Sequence, residues 1–160
     1  MKLLAIETAT DTCSVALQID DQISELFEPA ARQQTERVLP MVEQLLRQAS
    51  LSLSELDAIA YSAGPGAFTG VRVAVAIAQG LAWGASLPLI PVSTLACTAQ
   101  AACLQHGPGA WLVAQDARMN ELYLGGYTFA QADGAAHCVL DDMLCAPDQL
   151  PALTGQHWRV

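Results

Sequence analysis

The segment Gly64-Pro65-Gly66-Ala67-Phe68-Thr69-Gly70-Val71-Arg72 joins a predicted strand to a predicted helix in this 160-residue chain. The apolar residues before it, 58–63, predict a buried strand, and the small and apolar residues after it predict a helix that ends near Gly84. Such a glycine-rich connection has two interpretations: its backbone N–H groups cradle a phosphate, or its glycines supply the backbone freedom of a sharp turn. It has neither the Gly-Lys-Ser/Thr of a Walker loop nor the glycine order of a dinucleotide-binding fingerprint.

The residues on both sides of this segment predict alternating strands and helices. Residues 2–7 predict a buried strand with the apolar run 3–6, residues 13–19 alternate, and residues 22–28 follow a tight turn, which together predict an antiparallel meander. A helix follows, with Thr35 as its N-cap and Pro40 near its start. Residues 87–92 then predict a strand, and Ser93 caps a helix that runs to about His106. The predicted order is βββαβαβα.

A second meander begins after the break at Gly107-Pro108-Gly109. Residues 111–115, 121–129 and 137–143 predict three more strands, and the first strand of each meander ends near an acidic residue, Glu7 or Asp116. This local similarity indicates two copies of one unit. We therefore predict a first half over residues 1–107 and an incomplete second half over residues 108–160.

Composition excludes several classes of function. The formal charge is −9 with only seven lysines and arginines, and no cationic cluster is present to displace counterions from a phosphate backbone, so we expect the chain alone to bind nucleic acid poorly. The five cysteines form no CxxC pair, and we expect small buried apolar thiols in a reducing cytoplasm. Residues 73–90 carry no charge, but a helix followed by a buried strand explains them better than a membrane span.

Three segments of the sequence resemble the bacterial TsaB (YeaZ) family, the paralogues of the TsaD/Kae-type threonylcarbamoyl transferases. The glycine segment 64–72 is the most specific of them. The other two are Leu4-Ala5-Ile6-Glu7-Thr8-Ala9-Thr10 with Cys13-Ser14-Val15-Ala16-Leu17, and Asp116-Ala117-Arg118 with Glu121-Leu122-Tyr123. The resemblance implies an α/β fold of the actin-like ATPase (ribonuclease H-like, ASKHA) type, built from two halves. It also implies a role in making N6-threonylcarbamoyladenosine in tRNA.

The resemblance makes four residues candidate contacts for an anion or a nucleotide: Glu7, Thr8, Gly66 and Arg72. In actin-like ATPases the first strand ends in an acid, usually Asp, that organises a metal and water beside nucleotide phosphates. Here that acid is Glu7. We favour a hydrogen-bonded carboxylate at a turn, because no motif ties a second acid to Glu7. Arg72 is either an anion ligand or an ion-pair partner.

We predict neither a metal site nor catalytic residues. The catalytic paralogue carries an HxxxH helix motif, but residues 32–39 of this chain contain no histidine. The three histidines, His106, His137 and His157, lie far apart in sequence, and no motif joins Ser93 or Cys97 to a base. No cofactor is expected for the chain alone, and a nucleotide is expected only in a complex with its partner.

Two predicted helices, Val38 to Ala49 and Phe68 to Gly84, have more apolar surface than one sheet covers. The helix from Phe68 to Gly84 is small and apolar nearly all round, whereas a surface helix needs a single apolar stripe. The second covering element is either another helix of the chain or a second subunit, and we favour a subunit. The predicted interface residues are Val38, Met41, Val42, Leu45, Phe68, Val71, Ala74, Val75 and Ala78.

The resulting hypothesis is a non-catalytic subunit of the threonylcarbamoyladenosine complex. Its expected partners are the TsaD-type catalytic paralogue and the TsaE-type ATPase of the same complex, with a homodimer when alone and no contact with a membrane. The alternative is an enzyme: an actin-like ATPase or kinase, or a peptidase as the older family name suggests. A bare ATPase needs phosphate loops from both halves, and the second half is incomplete.

Overall fold

A five-stranded sheet forms the first part of the molecule. The computed structural model describes residues 1–29, 33–132, 134–153, 155 and 157–160. The strands are β1 (Lys2–Glu7), β2 (Thr12–Ile19), β3 (Gln22–Pro29), β4 (Ala58–Gly64) and β5 (Leu89–Ser93). Their order is β3-β2-β1-β4-β5, in which β1 pairs antiparallel with β2 and parallel with β4. The predicted meander and the order βββαβαβα are confirmed.

Two helices cover one face of this sheet: α1 (Gln34–Gln48) and α2 (Phe68–Ala85). Alternate residues of β1 and β2 point into the core because side chains in a strand alternate between faces. The fully buried strand side chains Leu4, Ile6, Val15 and Ile59 form one cluster with residues of both helices. This core holds the ends of β1 and β4 in place. The glycine segment begins at the end of β4.

Helix α1 begins one residue before the predicted N-cap. Thr35 lies inside the helix, and the N-cap position is Gln33, which makes no side-chain cap hydrogen bond. The buried Gln34 side chain donates to the Thr10 carbonyl at 3.2 Å, which holds the helix start against the turn after β1. Pro40 lies well inside α1, where it has no N–H to donate to the carbonyl four residues earlier.

Helix α2 is long and apolar enough to cross a membrane by length and composition alone. Its buried residues, Gly70, Ala74, Ala78 and Ala82, recur every fourth position, and the three alanines belong to the core of the first sheet. Buried residues make up 22% of the helix. The helix ends before β5 begins at Leu89, as predicted, but the prediction that this strand is buried is wrong, because Ile90 is 43% exposed.

A four-stranded sheet forms the second part, with helix α3 (Thr94–His106) against it. Its strands are β6 (Gly109–Arg118), β7 (Glu121–Phe129), β8 (His137–Cys145) and β9 (Trp158–Arg159), in the order β8-β7-β6-β9. Contacts divide the chain into Met1–Val92 and Ser93–Val160. The division precedes the predicted boundary at residue 107 because Leu95, Ala99 and Cys103 of α3 pack against β6 and β7.

The two sheets share one strand order. In each, three antiparallel strands form a meander, and a fourth strand lies parallel beside the first: β4 beside β1, and β9 beside β6. This topology agrees with the repeat that the two strand ends indicated. The strand β9 was not predicted, because two residues carry no periodicity.

The cysteines differ from the expectation that each is buried. Cys13 and Cys103 are buried as predicted, but the prediction is wrong for Cys97 and Cys138, which are exposed. Cys97 lies two residues from each of the buried residues Leu95 and Ala99 and therefore on the other side of α3. Cys138 lies on β8, an edge strand of the second sheet.

Candidate functional site

The candidate site lies where β1 ends and the chain turns towards β2. The carboxylate of Glu7 accepts a hydrogen bond from the backbone N–H of Ala9. The fully buried Thr8 donates its hydroxyl to the carbonyl of Gly70 at 2.7 Å, and its backbone N–H donates to the Ser62 hydroxyl at 3.4 Å. The end of β1 is thereby joined to the end of β4 and to the first turn of α2.

The glycines of the segment let two stretches of backbone come together. A Cβ atom on Gly70 would lie 1.9 Å from the Thr8 carbonyl oxygen, and one on Gly66 would lie 2.5 Å from the Ala9 carbonyl oxygen. The Ala9 carbonyl also accepts a hydrogen bond from the Ala67 N–H at 2.7 Å. No other residue type fits at either position without displacement of the backbone. These contacts favour the sharp-turn interpretation of the segment.

Burial raises the pKa of the Glu7 carboxyl above its ordinary value. The hydrogen bonds from the Ala9 N–H and the Ser62 hydroxyl lower it and only partly offset that effect. General acid–base chemistry by a carboxyl pair requires a second acid within reach. In the described part of the chain, no group of three or more histidine, cysteine or acidic side chains could hold a metal ion.

Arg72 makes its contacts within its own helix. Its guanidinium carbon lies 3.4 Å from the centre of the Phe68 ring, and Nη1 donates to the Phe68 carbonyl at 3.0 Å. The structure therefore brings Glu7, Thr8 and Gly66 together at one turn. Among the described residues, Arg72 has a cation–π partner and no ion-pair partner.

The structure corrects the predicted partner interface at six of its nine residues. The side chains of Val38, Met41, Val42, Leu45, Ala74 and Ala78 are all buried in the core of the first sheet. A buried side chain has no surface left for a second subunit. The small residues of α2 thus allow close packing within the chain, and the remaining interface residues, Phe68, Val71 and Val75, are at least partly exposed.

The outer face of α2 carries two exposed aromatic side chains. Trp83 is 90% exposed and Phe68 is 73% exposed. Beside Trp83 lies an open groove of about 910 Å³, lined by Ala76, Gln79, Gly80, Ala82, Trp83, Ser86, Leu87 and Leu89. A smaller groove of about 340 Å³ lies beside Phe68 and shares Ala76 with the first. Trp83 was not among the predicted interface residues, although a tryptophan in a helix of small residues is a usable signal of an interface.

A second polar cluster lies at the start of α3 and was not predicted. The Ser93 hydroxyl caps the helix by accepting from the N–H groups of Leu95 and Ala96, each at 3.1 Å. The Ser93 and Tyr127 hydroxyls both donate to the Asp142 carboxylate. Burial raises the pKa of the Tyr127 hydroxyl, and the hydrogen bond to Asp142 raises it further by a smaller amount. The cluster ties α3 to β7 and β8, which gives it a structural role.

Comparison with known proteins agrees with this architecture. The family model described as "TsaD: tRNA N6-adenosine threonylcarbamoyltransferase" matches residues 27–155. The tRNA threonylcarbamoyladenosine biosynthesis protein TsaB of Escherichia coli is 50% identical over 127 residues, which are 79% of this chain and 55% of that protein. The chain thus spans about half the length of this curated relative.

Solved structures give the same result for family and fold. YeaZ from Pseudomonas aeruginosa superposes with a TM-score of 0.90 at 39% identity and covers 98% of this chain and 73% of that one. A ROK hexokinase from Thermus thermophilus superposes with a TM-score of 0.53 at 15% identity, covering 85% of this chain and 47% of that one. The hexokinase likeness confirms the predicted actin-like, ribonuclease H-like fold. The chain belongs to the TsaB/YeaZ family of tRNA threonylcarbamoyladenosine biosynthesis proteins.

Proposed function

We propose that the chain acts in N6-threonylcarbamoyladenosine biosynthesis as a non-catalytic subunit that binds a TsaD-type catalytic paralogue. Membership of the TsaB/YeaZ family supports the pathway. The contacts at the end of β1 support the non-catalytic part, because Thr8 and Gly66 are occupied in backbone packing and the Glu7 carboxylate binds the Ala9 N–H. The interactions of the full-length relatives are assigned to this shorter chain only as part of this proposal.

The exposed aromatic face of α2 is the observation that carries the proposal. Aromatic residues are enriched at protein interfaces because they bury a large area at little cost in side-chain entropy. Phe68 and Trp83 lie four turns apart along α2, with two adjoining grooves beside them. A helix of the paralogue fits this surface, and Val71 and Val75 lie near one end of it. In the absence of the paralogue, a second copy of the chain occupies the same face.

We expect a nucleotide to bind only in the assembled complex. Helix α2 begins without a side-chain cap hydrogen bond and without an acidic residue in its first turn. An uncapped helix start attracts anions through its N–H groups. Glu7, Thr8 and Gly66 border this helix start but are occupied by contacts within the chain, so the paralogue supplies the other contacts to the phosphate. A TsaE-type ATPase acts in the same complex, in the cytoplasm, without contact with a membrane.

Binding of the chain to the purified TsaD-type paralogue tests the proposal. The variant Trp83→Glu places a charge on the outer face of α2 while the core stays intact, because the indole is 90% exposed. Loss of a central aromatic contact typically costs about 2 kcal/mol or more, so we expect binding to weaken by at least about thirtyfold. Isothermal titration with purified partners measures this change.

Met119→Glu is the matched control, since Met119 is 91% exposed but lies in the turn between β6 and β7. Its binding should remain within about twofold of the parent chain, because exposed substitutions away from an interface change little. Equal binding by the parent and Trp83→Glu would place the interface elsewhere. No binding by the parent chain would contradict the partner role itself.

A further inference from the structure

The outer edge of β3 has the properties of a strand-addition site. β3 pairs with β2 over eight consecutive residue pairs without a register shift, from Thr12–Pro29 to Ile19–Gln22. Within the described part of the chain, no strand pairs with its other edge. In an antiparallel strand, every second residue directs its N–H and C=O away from the neighbouring strand. These groups can pair with an added strand.

The side chains of β3 on the face away from the helices are unusually apolar. Ile23 is 69% exposed and Phe27 is 61% exposed, and both share this face with Glu25 because strand side chains alternate. Exposed edges are usually blunted by charged side chains, especially lysine, by proline or by a bulge, and the charged residues of β3 are Glu25 and Glu28. Within β3, proline occurs only at the last residue, Pro29, and there is no lysine.

A second feature lies beside β3 on the face covered by α1. A groove of about 180 Å³ is bordered by Gln22 and Ser24 of β3 and by Leu45 and Ala49 at the end of α1. An added strand directs alternate side chains to the two faces of the sheet. One set would contact Ile23 and Phe27, and the other would reach this groove. Strand addition obtains affinity from backbone pairing and specificity from such alternate contacts.

The negative charge of β3 indicates which kind of segment would pair with its edge. Glu25 lies between Ile23 and Phe27 and accepts a hydrogen bond from the Ser14 hydroxyl at 2.6 Å, while the Glu28 carboxylate is already paired with Arg37. A second copy of this chain would bring another acidic β3 against the first, in molecules that each carry a formal charge of −9. Like charges placed opposite each other destabilise strand pairing, and opposite charges stabilise it.

We propose that the edge of β3 binds an extended protein segment with the pattern apolar–Lys/Arg–apolar at alternate positions, paired antiparallel. The cation lies opposite Glu25, and the two apolar side chains lie opposite Ile23 and Phe27. This site is separate from α2 and does not depend on the proposed function.

A six-residue peptide with an N-terminal fluorescein tests the site: fluorescein-Val-Thr-Lys-Val-Val-Thr-amide, whose anisotropy is measured as the full chain is added. We expect saturable binding, and replacement of the peptide lysine by glutamate should weaken it by about tenfold. Glu25→Lys should weaken binding of the lysine peptide to the same extent and favour the glutamate peptide. Glu43→Lys, an equal charge change on the exposed surface of α1, is the control and should alter binding by less than about twofold.

N-methylated peptides separate strand addition from a charge contact. Methyl groups on the amides of one alternate set should abolish binding, because those N–H groups face β3, and methyl groups on the other set should leave it unchanged. Absence of saturable binding would overturn the proposal, as would equal binding of the two methylated peptides or equal effects of Glu25→Lys and Glu43→Lys. A dimer of the chain that Phe27→Lys dissociates would identify a second copy as the occupant and would also overturn it.

Discussion

At the scale of single residues, Glu7 shows how burial and hydrogen bonding compete at the end of β1. Burial disfavours the charged carboxylate, and the hydrogen bonds from Ala9 and Ser62 favour it. Burial has the larger effect, and the pKa of Glu7 is raised. A carboxyl with a raised pKa binds its proton more tightly in the folded than in the unfolded chain. Its contribution to stability is complete below the unfolded pKa and is lost as pH rises through the folded pKa.

Glu7→Gln should therefore have a higher Tm than the parent chain at about pH 7, and the difference should shrink as pH falls to about 4. The glutamine oxygen can still accept the Ala9 N–H, while the cost of burying a charge disappears. Thermal unfolding at several pH values measures the effect. Glu43→Gln, on an exposed glutamate of α1, is the control. A lower Tm for Glu7→Gln at pH 7 would show that the folded chain needs the charge.

At the scale of single elements, α2 uses its glycines for two different purposes. Gly70 meets the backbone of Thr8, so that the helix start lies directly against the end of β1. A Cβ atom on Gly80 would meet nothing within 4 Å in the described part of the chain beyond its own helix, and Gly80 lines the groove on the outer face. The same substitution at the two positions should therefore have opposite effects on the free energy of unfolding.

Gly70→Ala should lower the free energy of unfolding by more than about 3 kcal/mol, because the overlap is with backbone that cannot rotate away. Gly80→Ala should raise it by about 0.5–1 kcal/mol, since alanine has the higher helix propensity and the site is open. Urea denaturation of both variants decides the matter. A stable, folded Gly70→Ala chain would contradict the close packing of Thr8 against α2.

Much of this element structure could be predicted from the sequence, because periodicity in strands and helices records which side is buried. The strands from β1 to β8 and the Ser93 cap followed from local patterns. The sequence could not tell which neighbour covers an apolar face, and so Val38 and Ala74 were assigned to a partner although they pack inside the chain. The Ser93–Asp142 hydrogen bond joins residues 49 positions apart, and no local pattern records such a pairing.

At the scale of the whole molecule, one strand pattern occurs twice: β3-β2-β1-β4 in the first sheet and β8-β7-β6-β9 in the second. In each, an antiparallel meander has a parallel strand beside its first strand, which agrees with the similarity of the two strand ends at Glu7 and Asp116.

The charge of the molecule gives the last prediction, negligible affinity of the isolated chain for tRNA. The formal charge is −9, and most of the seven cationic residues already have partners within the chain. Arg37, Arg47 and Arg118 form ion pairs, Arg72 stacks on Phe68, and Arg159 donates to the His106 carbonyl.

Filter binding of tRNA at about 0.15 M salt should therefore show no saturation at micromolar concentrations of the chain, because no cationic cluster is present to release counterions. The complex with the TsaD-type paralogue, measured in parallel, tests whether another subunit supplies the basic surface. Micromolar or tighter binding by the isolated chain that weakens steeply with salt would contradict the prediction and reveal a basic face. Binding that is insensitive to salt would contradict it differently, by indicating contacts to bases instead of phosphates.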